Sequence, residues 1–322
     1  MKDKLIWAYM MRISNHMWDD GANETTHVMY MPASTYEEEN KVNLNTWDTM
    51  MKFLSERKYN MLLIDIGDGV KFDSHPEISA PDAWSKEFLK QKLDEARALG
   101  LEVIPKLNFS AGHDTWLKEY RRMVSTPIYY KVCADLIAEV CELFDHPRLF
   151  HLGLNDETSS GQTSCEMTIV RGEKLYWHDL FFLFKECEKN GARPWAWSDY
   201  YWNKPDLFMQ NMPKEVLQSN WFHGEFKKND PSNKNYTCIK TYEDLDKAGY
   251  EQVLTGGSFA IGLNGVQTVA HGKEKLTPEL VKGYMTSPWN ATAREFDYML
   301  MWDADRMYQG RKKYYPETLG NL

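Results

Sequence analysis

The run Leu149-Phe150-His151-Leu152-Gly153-Leu154-Asn155-Asp156-Glu157 closes an apolar stretch with an amide and two carboxyl groups. Two adjacent acids disfavour each other's charge, so one of them is expected to hold its proton near neutral pH. A carboxylic acid that keeps its proton can protonate the leaving oxygen of a glycosidic bond. A charged neighbour can stabilise the cation that develops at the anomeric carbon. Taken alone, the run also fits a solvated acidic turn behind a buried strand, so other parts of the chain must decide.

Twelve tryptophans are many for 322 residues. Trp18, Trp195, Trp197, Trp202, Trp221 and Trp289 fall near the ends of predicted strands. One such ring is ordinary core packing. A set of them beside polar residues suits a sugar, whose C–H faces stack on rings while its hydroxyls take hydrogen bonds. The balance of 38 basic against 47 acidic residues, a net charge of −9, argues against nucleic acid as a partner. No run of about 20 apolar residues exists, so no membrane span is expected. Cys133, Cys141, Cys165, Cys187 and Cys238 lack the short spacing of a zinc or redox motif. His16, His113, His151 and His223 form no short histidine motif either, so no metal or cofactor is expected. Met1-Lys2-Asp3-Lys4 runs straight into apolar residues without a visible leader. The expectation is a cytoplasmic protein, or a periplasmic or secreted one if a leader was removed.

The elements that must hold these residues alternate. Strands are predicted at residues 5–13, 59–66, 101–108, 149–154, 194–197, 216–221, 251–254 and 283–287. Helices are predicted at 43–57, 85–99, 128–144, 173–190, 241–248, 276–282 and 293–308, and residues 200–240 are expected to contain a long loop over the site. Gly100, Gly191 and Gly249 mark helix ends. Eight strands alternating with helices in one chain predict a single α/β domain over residues 1–322, a (β/α)8 TIM barrel. An open doubly wound sheet would carry a glycine-rich loop after its first strand, where Arg12-Ile13-Ser14-Asn15-His16 stands instead. Barrel chemistry sits at the C-terminal ends of the strands. Those ends nominate Arg12, His16, Asp65, Asp68, Asn108, His113, Asn155, Trp197, Asp199, Tyr200, Trp221 and Trp289 for substrate binding, around Asp156 and Glu157.

Three segments resemble the retaining β-N-acetylhexosaminidases, glycoside hydrolase family 20. Residues 59–68 resemble that family's second strand with its acidic end. Residues 103–113 resemble its third strand and the Gly112-His113 that follows. His151-Leu152-Gly153-Leu154-Asn155-Asp156-Glu157 resembles the fourth strand, which bears its catalytic Asp-Glu pair. The likeness spans residues 5–310 and covers the catalytic barrel. It implies hydrolysis of a terminal β-linked N-acetylhexosamine, with Glu157 as acid/base. Asp156 would orient the acetamido group that attacks the anomeric carbon. The chain departs from the pattern in several places: the third-strand loop is one residue longer, the family's small domain before the barrel is not seen, and two departures touch the site itself. Leu154-Asn155 stand where small residues precede the acidic pair, and Arg12 stands away from the family's sugar-gripping arginine. If the sugar lacks an acetamido group, Asp199, Asp65 or Asp68 would act as nucleophile. A carbohydrate-binding or degenerate barrel, and a barrel of unrelated chemistry, are the competing classes.

Overall fold

In the computed structural model, which describes residues 4–16, 39–162, 165, 167–226, 234–257 and 262–320, eight parallel strands close into a barrel in sequence order. The strands are β1 (Ile6–Arg12), β2 (Met61–Asp65), β3 (Glu102–Lys106), β4 (Leu149–His151), β5 (Arg193–Trp197), β6 (Leu217–Ser219), β7 (Gln252–Gly256) and β8 (Val281–Thr286). The (β/α)8 fold predicted from the alternation is therefore the fold of the chain. Trp18 lies outside the described residues. Among the described residues no helix is long and apolar enough to cross a membrane.

Side chains alternate across each strand and so separate two cores. Ile6, Ala8 and Met10 of β1 point inward with Met61, Leu63, Ile104, Leu149, Trp195, Trp197, Leu217, Val253 and Met285. Trp7, Tyr9 and Met11 point outward onto the helices with Leu62, Ile64, Val103 and Phe150. Trp195 and Trp197 fill the interior where smaller side chains would leave a void. An indole of this kind buries roughly 150–250 Å², or roughly 4–6 kcal/mol at about 25 cal/mol per Å².

The helices α1 (Leu44–Glu56), α2 (Lys86–Ala98), α3 (Pro127–Leu143) and α4 (Glu173–Lys189) follow β1 to β4. Asn43, Ser85 and Thr126 cap the first three, each side chain accepting a backbone N–H of the first turn. The second half corrects the sequence reading. Residues 200–211 form two short helices, α5 (Tyr200–Asn203) and α6 (Pro205–Asn211), rather than loop. Next, α7 (Lys234–Lys247) begins earlier than expected. No helix occupies 276–282; α8 (Asn264–Lys275) precedes that segment, and β8 already starts at Val281. The last helix is α9 (Asp297–Tyr314).

The strand register stacks the site. Arg12 pairs with Asp65, Asp65 with Lys106, and Lys106 with His151. The inward row thus turns from apolar at the bottom to charged at the C-terminal end, which forms the floor of the barrel mouth. A cavity of about 1080 Å³ opens at the opposite end. Among the charges that line it, Arg148 pairs with Glu102, and both Arg193 and Lys282 pair with Glu251.

Candidate active site

The floor is built from buried ions. Lys106 is fully buried, and its Nζ donates to Asp65 at 2.6 Å. Burial pushes its pKa down, Asp65 opposes this, and Arg12 adds to it. Such a pair tolerates burial only because each charge has its partner. Arg12 donates to the Trp289 carbonyl at 2.6 Å, and Lys106 Nζ lies 5.5 Å from the Trp289 ring centre. Beside the floor, His16 and Asp68 form a buried pair at 2.5 Å, with Ser14 Oγ donating to the other Asp68 oxygen.

The chain after β4 is held in an unusual shape. Gly153, Leu154 and Asp156 all have positive φ (72°, 72° and 56°). Left-handed backbone costs a side-chain-bearing residue of order 1–3 kcal/mol and persists only where neighbours impose it. Asn108, just beyond β3, imposes it here. Its Oδ1 accepts the N–H of Leu154, and its Nδ2 donates to Asn155 Oδ1 at 3.0 Å. A Cβ on Gly153 would stand 1.9 Å from Asn108 Oδ1. Gly153→Ala is therefore expected to lower stability by about 1–3 kcal/mol or more and to displace Asn108, as read by thermal unfolding. An unchanged melting temperature would show that the loop has another shape.

This turn sends the two acids in opposite directions. Asp156 stays one-third exposed, the Asn155 amide donates to its Oδ2 at 2.8 Å, and His113 Nε2 is 3.6 Å away. Glu157 is 2% exposed, bound to Arg171 at 2.7 Å and to the Ala111 N–H at 3.2 Å. Arg171 also reaches Asp179 of α4 at 3.0 Å. Burial raises the Asp156 carboxyl above its usual range and the Glu157 charge adds to this, while the Asn155 hydrogen bond opposes it. Asp199, after β5, is pushed up to about 8 by burial and then by Asp156. Its Oδ2 accepts the Asp156 N–H at 2.8 Å and its Oδ1 the Trp221 indole N–H at 3.1 Å. His113 is pushed down to about 3, first by burial, then by Lys106 and Arg12. It is a neutral ring that takes the Asn155 amide at 3.2 Å on one nitrogen and meets Ser110 Oγ at 3.2 Å with the other.

The nominated residues thus divide. Asn108, His113, Asn155, Asp156, Asp199 and Trp221 form one connected group. Trp289 joins it, 6.2 Å from His113 and 5.8 Å from Trp197. Trp197 is 1% exposed and belongs to the interior, wedged against His151. Tyr200 stacks on Tyr176 of α4 at 4.3 Å, over the Arg171 side. Lys106 and Arg171 were not nominated; His223, at the end of β6 beside Trp221, accepts the Trp289 indole N–H on Nε2 at 3.0 Å. Lys106 had a signal, a lysine in phase with the inward residues of a strand. Arg171 had none, since it lies in irregular chain 14 residues after its partner.

No family profile and no curated protein matches the chain. Solved structures do. The chitobiase of Flavobacterium johnsoniae is 14% identical with a TM-score of 0.61, over 98% of this chain and 52% of that one. The family 20 exo-β-N-acetylglucosaminidase of Vibrio harveyi is 11% identical with a TM-score of 0.58, over 98% and 58%. The family 20 β-N-acetylhexosaminidase of Streptomyces coelicolor is 12% identical with a TM-score of 0.61, over 99% and 70%. This chain spans little more than half the length of the first two. At these identities the likeness is one of fold: the chain shares the (β/α)8 barrel of these structures.

Proposed function

We propose that the chain is a glycoside hydrolase that removes a terminal β-linked N-acetylhexosamine, with Asp156 as the group that delivers the proton. The observation that carries this reading is the placement of Asp156. It is partly open at the mouth, lifted toward its protonated form, and next to a neutral histidine. Among the described residues, the other carboxyl groups near the strand ends are occupied or buried. Asp65 is bound to Lys106, Asp68 to His16 and Glu157 to Arg171. Asp199 accepts two N–H groups, and Asp114 is 4% exposed. The reading therefore moves the acid role expected of Glu157 to Asp156.

The same occupancy supports substrate assistance. A protein nucleophile needs a second open carboxylate about 5–5.5 Å from the acid. With none free of a partner in this group, the anomeric carbon is attacked by the oxygen of the sugar's own acetamido substituent. That oxygen bonds to the anomeric carbon as the glycosidic bond breaks and Asp156 gives its proton to the leaving oxygen. Water then opens the cyclic intermediate and Asp156 regains a proton. Trp221, half-buried beside Asp199, offers a ring face to the sugar. The solved structures named above include an exo-β-N-acetylglucosaminidase and a β-N-acetylhexosaminidase, in accord with this sugar class.

A panel of aryl glycosides tests the proposal: N-acetylglucosamine, N-acetylgalactosamine, glucose and galactose, each in both anomers. Cleavage confined to the β-N-acetyl substrates is expected. Efficient cleavage of a plain glucoside or galactoside would sink substrate assistance and return a protein carboxylate to the mechanism. No cleavage of any member would overturn the assignment of a terminal N-acetylhexosamine.

A further inference from the structure

Asp199 is a single carboxyl group on which two hydrogen bonds from different strand ends converge. It lies immediately after β5 and is 4% exposed. One oxygen accepts the backbone N–H of Asp156, the residue held at a φ of 56°. The other accepts the indole N–H of Trp221, which continues β6 and bridges to Thr255 of β7. The Trp221 ring in turn lies 4.6 Å from Trp202 of α5, whose own N–H is held by Asn220. The carboxyl thus ties the end of β4 to the end of β6.

We infer that Asp199 is a positioning residue that sets both the direction of the Asp156 side chain and the angle of the Trp221 ring, so that acid and stacking face move as one unit. This rests on the reading of Asp156 as the proton donor. It assigns Asp199 a role different from that of a nucleophile: with both oxygens accepting N–H groups, neither is directed at an anomeric carbon. The requirement for a carboxylate follows from the donors. Two N–H groups approach from opposite sides, and only a group with an acceptor on each side satisfies both. Asparagine has one acceptor and would set its NH2 against an N–H. The chain pays for the arrangement in charge, since Asp199 stands beside Asp156 in a buried place. The other titratable groups that face it are Tyr176 of α4 and, beyond Asp156, Glu157 with Arg171.

Two variants test this in the full chain. Asp199→Asn is expected to lower kcat roughly 10–100-fold, the range of a misplaced catalytic group, with a smaller change in KM. Its alkaline limit should move to lower pH, because the pair of carboxyls, in which the Asp156 charge holds Asp199 up, is reduced to one. Trp221→Phe leaves Asp199 with one fewer hydrogen bond to its charged form, so the alkaline limit should move to higher pH. Opposite shifts are not expected of two merely destabilised proteins. The Trp221 emission, taken as the difference between wild type and Trp221→Phe, should titrate with the carboxyl pair in the absence of any substrate. This readout separates failure of the inference from failure of the hydrolase reading. Unaltered kcat and pH limits in both variants, or a Trp221 emission that is flat with pH, would overturn it. If Asp199→Asn does not fold, the Trp221→Phe shift and the emission titration decide.

Discussion

Asp156→Asn is expected to lower turnover of a β-N-acetylhexosaminide by roughly 10²–10⁴-fold, the usual range for loss of a positioned proton donor. Asparagine keeps the size and the hydrogen bond from Asn155 but has no proton to give. The loss should be largest for sugar leaving groups and smallest for nitrophenolate, which departs without protonation. Glu157→Gln should behave differently. That side chain is 2% exposed and faces Arg171, not the mouth. Its replacement should change turnover only several-fold while lowering the melting temperature. The contrast is read from kcat and kcat/KM on one activated and one unactivated substrate. If Glu157→Gln shows the large, leaving-group-dependent loss and Asp156→Asn does not, the acid is Glu157.

The second large effect is structural. Arg171 is 4% exposed and stands between two carboxylates, Glu157 at 2% and Asp179 at 1%. Asp179 is further held by the hydroxyls of Ser125 and Tyr130. Removing the central cation leaves two buried acids facing each other. Breaking a buried ion pair from one side costs about 3–5 kcal/mol. At roughly 2–4 °C per kcal/mol for a chain of this class, Arg171→Met should lower the melting temperature by on the order of 10 °C. Adding Glu157→Gln and Asp179→Asn to Arg171→Met should recover part of that loss, because the stranded charges are then gone. A melting temperature unaffected by Arg171→Met would mean that the loop after Asp156 is anchored elsewhere.

The barrel was legible because its signals are periodic. Residues 59–66 and 101–108 read as buried strands, and the helices at 85–99 and 173–190 carry apolar stripes closed by Gly100 and Gly191. The reading failed where packing overrides propensity. In α8, Gly265 and Gly272 dilute the helical pattern. A Cβ at Gly265 would stand 2.8 Å from the backbone of Met307 in α9, and one at Gly272 would stand 2.4 Å from the Tyr284 hydroxyl. Close approach of neighbours thus requires the residues that hide the helix. The mouth residues were legible as a set, since strand ends in a barrel converge. Their orientation was not. The side-chain alternation of β4 stops at Gly153, and the positive φ values that follow turn Asp156 and Glu157 apart. That turn depends on Asn108, 46 residues from Leu154, and no local pattern records it.

The pH dependence of kcat/KM tests the central claim most directly. A proton donor must be protonated, and the Asp156–Asp199 pair is held above the usual carboxylate range, with Asp199 at about 8. Between the unfolded value of about 4 and that point, the folded chain holds a proton that the unfolded chain has released. The pair therefore costs stability as pH rises through this window. Activity should likewise hold in mildly acidic solution and fall, one proton being lost, above the usual carboxylate range, because burial and the Glu157 charge raise the Asp156 carboxyl. The account predicts this limb on an unactivated β-N-acetylhexosaminide in wild type and its absence from the residual activity of Asp156→Asn. A wild-type profile that is flat through pH 9, or a limb that survives unchanged in Asp156→Asn, would contradict it.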